Sequence, residues 1–331
     1  MAPLAHHQET DQRRAAMLRT AFCPVVRAAL EDPRTIEIMV NPDGAVWVER
    51  AGSGVMDTGD FIAAGDRERV IRLIASCSGD TASSISPIVS AELPEGGERF
   101  EGLLPPVSVS PCFSIRKPAA SPFSLSDYVD QGAIAPPISE AVQSAVASRQ
   151  NVVIAGGTSS GKTTFANALL GAGDLQTERI LVLEDTRELN CTAPNLVQLK
   201  TNGEQVSLRT LIRSTLRLRP DRIIVGEVRG GEALDLLKAW NTGHPGGVTT
   251  LHANSAIGAL RRLEQLASEA TTRMPHELIA EAIDVVIFMS REGGARRVTE
   301  AIRVLGFDGE VYATEPLVRP PISLIHQGAS K

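Results

Sequence analysis

The chain has 331 residues, is 43% hydrophobic and carries a formal net charge of −6, with a pI near 5.6. At about 100–200 residues per domain, this length implies two domains with cores of their own and argues against a disordered chain. The acidic balance gives no general electrostatic attraction to nucleic acid or anionic lipid, so stable nucleic-acid binding is not expected. Cys23, Cys77, Cys112 and Cys191 form no C-x-x-C pair, which argues against zinc and fits reduced cytosolic thiols. The N-terminal MAPLAHHQETDQRR has no apolar signal-peptide core, and no run approaches about 18 apolar residues, so a cytoplasmic chain without a membrane span is expected.

Along the first half, residues 11–30 read as a helix that Pro24 should kink or reset. TIEIMV and AVWVER flank NPDG, a turn sequence between two β-rich runs, which predicts a hairpin. DRERVIRLIASC reads as a helix with Val70, Ile71, Ile74 and Cys77 on one face. Short strands in SPIVSAEL, ERFEGLL and CFSIRKP complete a small α+β domain over residues 21–117. The Pro/Ser-rich stretch that follows reads as a linker over 118–130. Residues 1–20 and 316–331 are expected to be flexible ends.

Residues 131–315 alternate helices and strands. A helix in ISEAVQSAVASRQ leads to the strand NVVIA, a glycine-rich turn and the helix FANALLGAG. The strands RILVLED and NLVQLKT precede the helix SLRTLIRSTLRLR, which Pro220 stops. DRIIVGEVRG reads as a buried parallel strand, GEALDLLKAWNTG as a helix, VTTLHA as a strand and AIGALRRLEQLASEA as an amphipathic helix. PHELIAEAIDVVIFMS and RRVTEAIRVLGF supply a further helix and closing strands. The expected fold is α/β: a RecA-like domain with a mostly parallel sheet, preceded by a smaller α+β domain. Ligand should bind at the C-terminal ends of the strands.

The chemistry concentrates at those ends. In AGGTSSGKTT, Gly156 and Gly161 have the G-x-x-x-x-G spacing of a phosphate-binding P-loop. Gly156, Gly157, Thr158, Ser159, Ser160, Gly161 and Thr164 would wrap backbone and hydroxyl donors around the phosphates of ATP. Lys162 would reach the β- and γ-phosphates, and the Thr163 hydroxyl would ligand Mg²⁺. Glu227 follows the strand RIIVG, where a longer carboxylate suits a general base or water-orienting group; capping the next helix is its structural alternative. Glu184 and Asp185 end RILVL, where they hold Mg²⁺-bound water or cap the following turn. His252 ends VTTL and His244 precedes it in TGHPGG; each is either a packed side chain or a neutral imidazole that senses the γ-phosphate.

Together GGTSSGKTT, LVLEDTREL, RLRPDRIIVGEVRGGEALDLLKAWNTGHPGG and VTTLHANSA resemble the type II/IV secretion (traffic) ATPase superfamily, in particular the TrbB-like conjugal-transfer ATPases of type IV secretion systems. EIMVNPDG, RFEGLLPPV and FSIRKP resemble the N-terminal domain of that family, so the resemblance spans roughly residues 30–315. It implies an acidic box containing Glu184, a second catalytic box containing Glu227, and a histidine box containing His244 and His252. It also implies a hexameric cytoplasmic ATPase docked on inner-membrane components of the secretion machine, with nucleotide held between the domains. By that analogy Arg99 and Arg116 would reach the phosphates from the N-terminal domain. The paired-cysteine zinc module common in type II secretion and pilus-extension relatives has no counterpart here. A RecA-like nucleic-acid translocase, a pilus retraction motor and a nucleotide-gated scaffold with little turnover are the competing readings.

Overall fold

The computed structural model describes residues 17–318, except 19, 95, 119–122, 174, 203–204 and 293–294. The flexible ends expected over most of 1–20 and beyond 318 therefore lie outside the described residues. The chain divides into two compact units, residues 1–121 and 122–331.

In the first unit, the NPDG turn closes a hairpin between β1 (Thr35–Val40) and β2 (Ala45–Arg50). Asn41 N donates to Ala45 O at 3.0 Å, and Asp43 Oδ1 accepts from Ala45 N at 3.0 Å. Gly44 supplies the positive φ of 100° that the turn needs. Pro24 stands in the first turn of α1 (Pro24–Glu31), where its missing N–H has no intrahelical acceptor to lose. It therefore starts a new helix instead of kinking one that runs through 11–30. The strands β3 (Gly54–Phe61), β4 (Ile88–Glu92), β5 (Arg99–Leu103) and β6 (Cys112–Arg116) complete a sheet of order β3-β2-β1-β6-β5-β4. Every neighbouring pair in it is antiparallel. The sequence reading missed β3, because this edge strand is exposed along nearly its whole length and so shows no apolar alternation.

One face of this sheet is covered by α2 (Ala64–Cys77), whose Val70, Ile71 and Ile74 are buried with Ile38, Val48, Phe100 and Ile115. The same helix carries an unexpected buried charge. Arg67 is only 2% exposed. Its guanidinium donates to Pro111 O at 2.6 Å, Pro42 O at 2.8 Å and Ser110 Oγ at 2.8 Å, and also to Ile62 O.

The second unit begins inside the stretch read as a linker. Ser124 and Asp127 form a reciprocal capping box that nucleates α3 (Leu125–Asp130). The Ser-x-x-Asp signature overrides the Pro/Ser-rich composition, so the linker expected to reach 130 contains a helix. There follow α4 (Pro136–Ala147), β7 (Val152–Gly156), α5 (Lys162–Ala172), β8 (Arg179–Glu184), β9 (Asn195–Lys200) and α6 (Leu208–Thr215). Next come β10 (Arg222–Val225), α7 (Glu232–Asn241), β11 (Val248–Leu251), α8 (Ala256–Ser268) and α9 (His276–Ala282). The unit closes with β12 (Val285–Glu292), β13 (Ala295–Phe307) and β14 (Tyr312–Pro316). α6 ends earlier than the pattern suggested, at Thr215, whose hydroxyl bonds back to Ile212 O at 2.6 Å.

The sheet order is β14-β13-β12-β7-β11-β10-β8-β9. The strands from β12 to β9 are parallel, and β13 and β14 add antiparallel neighbours at one edge. Val153, Leu181, Leu183, Ile223 and Val225 face the helices α6, α7, α8 and α9. Val152, Ile154, Ile180, Val182 and Ile224 face α3, α4 and α5. Burial on both faces explains why these strands read as continuous apolar runs. This is the RecA-like arrangement, with the smaller antiparallel α+β unit before it.

Replacing Arg67 by Met should strand the carbonyls of Pro42, Ile62 and Pro111 without their donor. Losses of this kind come to about 3 kcal/mol or more. In urea, the transition reported by Trp47 on β2 should move to clearly lower denaturant, and an unmoved midpoint would refute this account of Arg67.

Candidate nucleotide site

The turn after β7 is built around two glycines. A Cβ on Gly156 would lie 2.4 Å from Met289 O and 2.5 Å from Ser160 Oγ, so the close approach of β12 admits only glycine there. Gly161 caps α5 with φ of 93°, and Ser159 also adopts a positive φ of 58°. Gly157, by contrast, has open space around it. The first intrahelical bond runs from Phe165 N to Gly161 O at 2.9 Å, which leaves the amides of the first turn without an intrahelical acceptor. Lys162, buried at 8% exposure, donates from Nζ to Gly157 O at 2.9 Å and Gly156 O at 3.1 Å. A cationic amine is thus held at the mouth of a backbone cradle, with the half-buried hydroxyls of Thr163 and Thr164 beside it on α5.

From Lys162 a line of polar groups crosses to the neighbouring strands. Lys162 Nζ stands 3.4 Å from His252 Nδ1, just past the end of β11. His252 Nε2 stands 3.1 Å from Glu227 Oε1, just past the end of β10. That contact is off the line of a hydrogen bond, so the buried Oε1 has no hydrogen-bond partner. Arg229, which the sequence reading passed over, binds the other oxygen, Oε2, through Nε at 2.7 Å and through Nη2. Its only sequence signal was its place two residues after Glu227. Among the described residues only three buried side-chain oxygen or nitrogen atoms lack a partner, and two of them, Ser160 Oγ and Glu227 Oε1, belong to this site. Buried acceptors and hydroxyls are normally satisfied, so this pair marks a place shaped for a polar ligand. Among the described residues no cluster of three His, Cys, Asp or Glu could hold a metal by itself. Mg²⁺ in phosphate-transfer sites is held instead by one or two protein oxygens and the substrate's phosphates, a role the Thr163 hydroxyl fits.

Not every expected residue joins this line. Glu184 ends β8, one strand beyond β10, and is 3% exposed. Its Oε1 accepts from Glu188 N at 2.9 Å and Leu189 N at 2.8 Å, so this oxygen shapes the following turn. Asp185 accepts from Thr201 Oγ1 at 3.0 Å. His244 does not reach the loop. It lies at the opposite ends of the strands, where Nδ1 stands 3.0 Å from Pro220 O. The glycines beside it serve packing there: a Cβ on Gly247 would lie 2.1 Å from the Trp240 ring. Arg99 and Arg116 face each other across β5 and β6, with Glu92 and Glu37 opposite them on the outer strands. Both arginines belong to the first unit and the cradle to the second.

The electrostatics keep His252 uncharged. Burial and then the Lys162 ammonium hold its imidazole below the usual value, while the Glu227 carboxylate pulls the other way and loses. The unfolded chain therefore takes up this proton first on acidification. The stability linked to His252 is intact above the unfolded value of about 6.5 and is lost as pH falls towards the folded value.

The family model "Type II/IV secretion system protein" matches residues 25–292. The chain is 49% identical to the "Conjugal transfer protein TrbB" of Rhizobium radiobacter, over 95% of this chain and 96% of that protein. It is 31% identical to the "Type IV secretion system protein VirB11" of Bartonella henselae, over 89% of this chain and 94% of that one. The crystal structure of the Legionella pneumophila ATPase DotB superposes with a TM-score of 0.57, covering 87% of this chain and 82% of that one. At 22% identity that likeness speaks for the fold alone.

Following the His252 ring proton by NMR should give a titration midpoint below 6.5. Replacing Lys162 by Ala should raise it, and replacing Glu227 by Gln should lower it, because the two charges act on the imidazole with opposite signs. A midpoint that ignores both changes would break the electrostatic line from β7 to β10.

Proposed function

We propose, from the fact that this chain belongs to the type II/IV secretion system protein family, that it is the ATP-hydrolysing motor of a conjugative type IV secretion machine. The observation that carries the reading is the order of groups along the strand ends: cradle and Lys162, then His252, then Glu227. ATP would lie with its phosphates in the cradle, where the α5 amides and the helix dipole receive them. Lys162, now donating to two loop carbonyls, would turn its charge to the β- and γ-oxygens. Thr163 would hold Mg²⁺, which when bound neutralises charge on those oxygens.

Glu227 orients and deprotonates the attacking water through Oε1, while Arg229 fixes the carboxylate through Oε2. His252, kept neutral, bonds the γ-phosphate on one side and registers its loss to Glu227 on the other. Glu184 acts behind this line, through the 185–189 turn and a Mg²⁺-bound water. Arg99 and Arg116 are proposed from the resemblance to add positive charge to the phosphates; as facing partners on β5 and β6 they suit one shared anion.

The working form is proposed to be a homo-hexamer docked at the cytoplasmic face of the inner membrane through components of the secretion machine. The names of its relatives, a conjugal transfer protein and a type IV secretion system protein, support the link to a secretion machine. No helix among the described residues is long and apolar enough to cross a membrane, so attachment would run through partners.

Steady-state hydrolysis on size-fractionated protein tests the reading. Lys162→Ala should lose both nucleotide affinity and turnover. Glu227→Gln should keep ATP bound while kcat falls about 10²-fold or more. Normal turnover in Glu227→Gln together with loss in Glu184→Gln would exchange the two roles, and wild-type turnover in Lys162→Ala would remove the site assignment.

A further inference from the structure

The strand order gives the nucleotide site a direction. β7, which carries the cradle, lies between β11 on one side and β12 on the other, with β10 beyond β11 and β13 beyond β12. His252 and Glu227 follow β11 and β10, so the end of the substrate where water attacks must point to that side. The sugar and base of a nucleoside triphosphate threaded through the loop must then leave towards β12 and β13.

An arginine stands there. Arg296, the second residue of β13, lays its stem over the last glycine of the loop: a Cβ on Gly161 would lie 3.0 Å from Arg296 Cδ and 3.9 Å from its Cβ. Its charge is felt by Tyr128 of α3, whose hydroxyl burial pushes up to about 12 against the opposing pull of Arg296. The same neighbourhood is fixed two residues on, where Val298 N donates to Ala133 O at 2.8 Å. Tyr128 in turn packs edge-on against Phe165 of α5, ring centroids 5.1 Å apart. The Arg296 stem thus lies against the last glycine of the cradle with its charge within reach of Tyr128, yet the residue is exposed and takes part in no ion pair among the described residues.

We infer that Arg296 forms the sugar and base side of the nucleotide site, its guanidinium plane stacking on the purine of ATP while the cradle holds the phosphates. This rests on the reading of the loop as an ATP site. A planar delocalised cation over an aromatic base is a favourable contact that an ammonium reproduces poorly.

Binding of ATP and of inorganic tripolyphosphate, both with Mg²⁺, to the full chain separates the possibilities, because tripolyphosphate has no base or sugar. Arg296→Ala and Arg296→Met should weaken ATP about tenfold, the size of a cation–π contact, and change tripolyphosphate less than about twofold. Arg296→Lys should fall between wild type and Ala. Arg296→Met keeps a stem over Gly161, so it isolates the guanidinium even if Arg296→Ala disturbs the loop. Unchanged ATP affinity in Arg296→Met would overturn the inference, and equal loss of both ligands would overturn it by making Arg296 a phosphate contact. A wild-type chain that bound neither ligand would remove the ATP reading itself, and this inference with it.

Discussion

The parallel ladder joining β7, β11, β10 and β8 is the constraint on which the site depends. Leu251 pairs with Ala155, Val225 with Thr249, and Val225 with Leu183. Carried on by one or two residues, that register sets His252 level with Gly156, Glu227 level with Leu251, and Glu184 level with Gly226. Residues spread from 156 to 252 in the sequence thus arrive at one height along one edge, with neighbouring strands about 4.8 Å apart. Two bonds lock the crossing between β10 and β11: Thr250 Oγ1 donates to Gly226 O at 2.7 Å, and Val228 N donates to Thr250 O at 3.0 Å. A slip of one residue in any strand would also exchange its two buried faces, so the core that holds the sheet together holds the chemistry in register.

The two ends of this sheet handle charge in opposite ways. At the N-terminal ends, Arg222 is 2% exposed but pairs with Glu178 and donates to Val146 O at 2.8 Å. Burial would raise the Glu178 carboxyl, yet Arg222 and Arg149 together hold it below its ordinary value. Asn151 completes the seal by bonding Ala282 O at 2.7 Å and Gly247 N at 2.8 Å. Buried charge here is matched and silent, which is where His244 comes to rest. At the C-terminal ends, by contrast, two buried atoms, Glu227 Oε1 and Ser160 Oγ, have no hydrogen-bond partner. A fold that satisfies its polar groups at one end and leaves these two atoms unsatisfied at the other keeps hydrogen-bonding capacity there for a polar ligand.

What could be read from the sequence followed locality. The cradle was legible because its glycines, lysine and hydroxyls are contiguous and the strand and helix around them have strong patterns. The parallel strands were legible because burial on both faces makes them uniformly apolar. β3 was not, since an exposed edge strand carries no alternation. α3 was hidden because Pro and Ser dominate its approach while its capping box occupies only Ser124 and Asp127. Arg67 stands among the charged residues of DRERVIRLIASC, and only the fold shows the carbonyls of distant loops gathered around it. The split between His252 and His244 turns on which end of β11 each occupies, and four residues of strand separate them. Arg296 was out of reach for the same reason: 135 positions separate it from Gly161, and β12 alone brings them together.

Glu184 shapes the surroundings of Glu227 without joining the line that runs from Lys162 through His252 to Glu227. A Cβ on Gly226 would come within 2.9 Å of Glu184 Cγ, so the residue before Glu227 must be small for the Glu184 stem to lie beside it. The Glu184 head meanwhile holds the amides of Glu188 and Leu189. That turn carries Asp185 and Glu188, whose charges act on Arg229 together with that of Glu227. One arginine therefore answers to three carboxylates, two of them on a turn that Glu184 shapes. A displacement of that turn changes how strongly Arg229 is drawn away from Glu227, and with it how tightly the Glu227 carboxylate is tied. On the proposed reading of Glu227 as the water-activating base, Glu184 would act on it from one strand away, through backbone and charge.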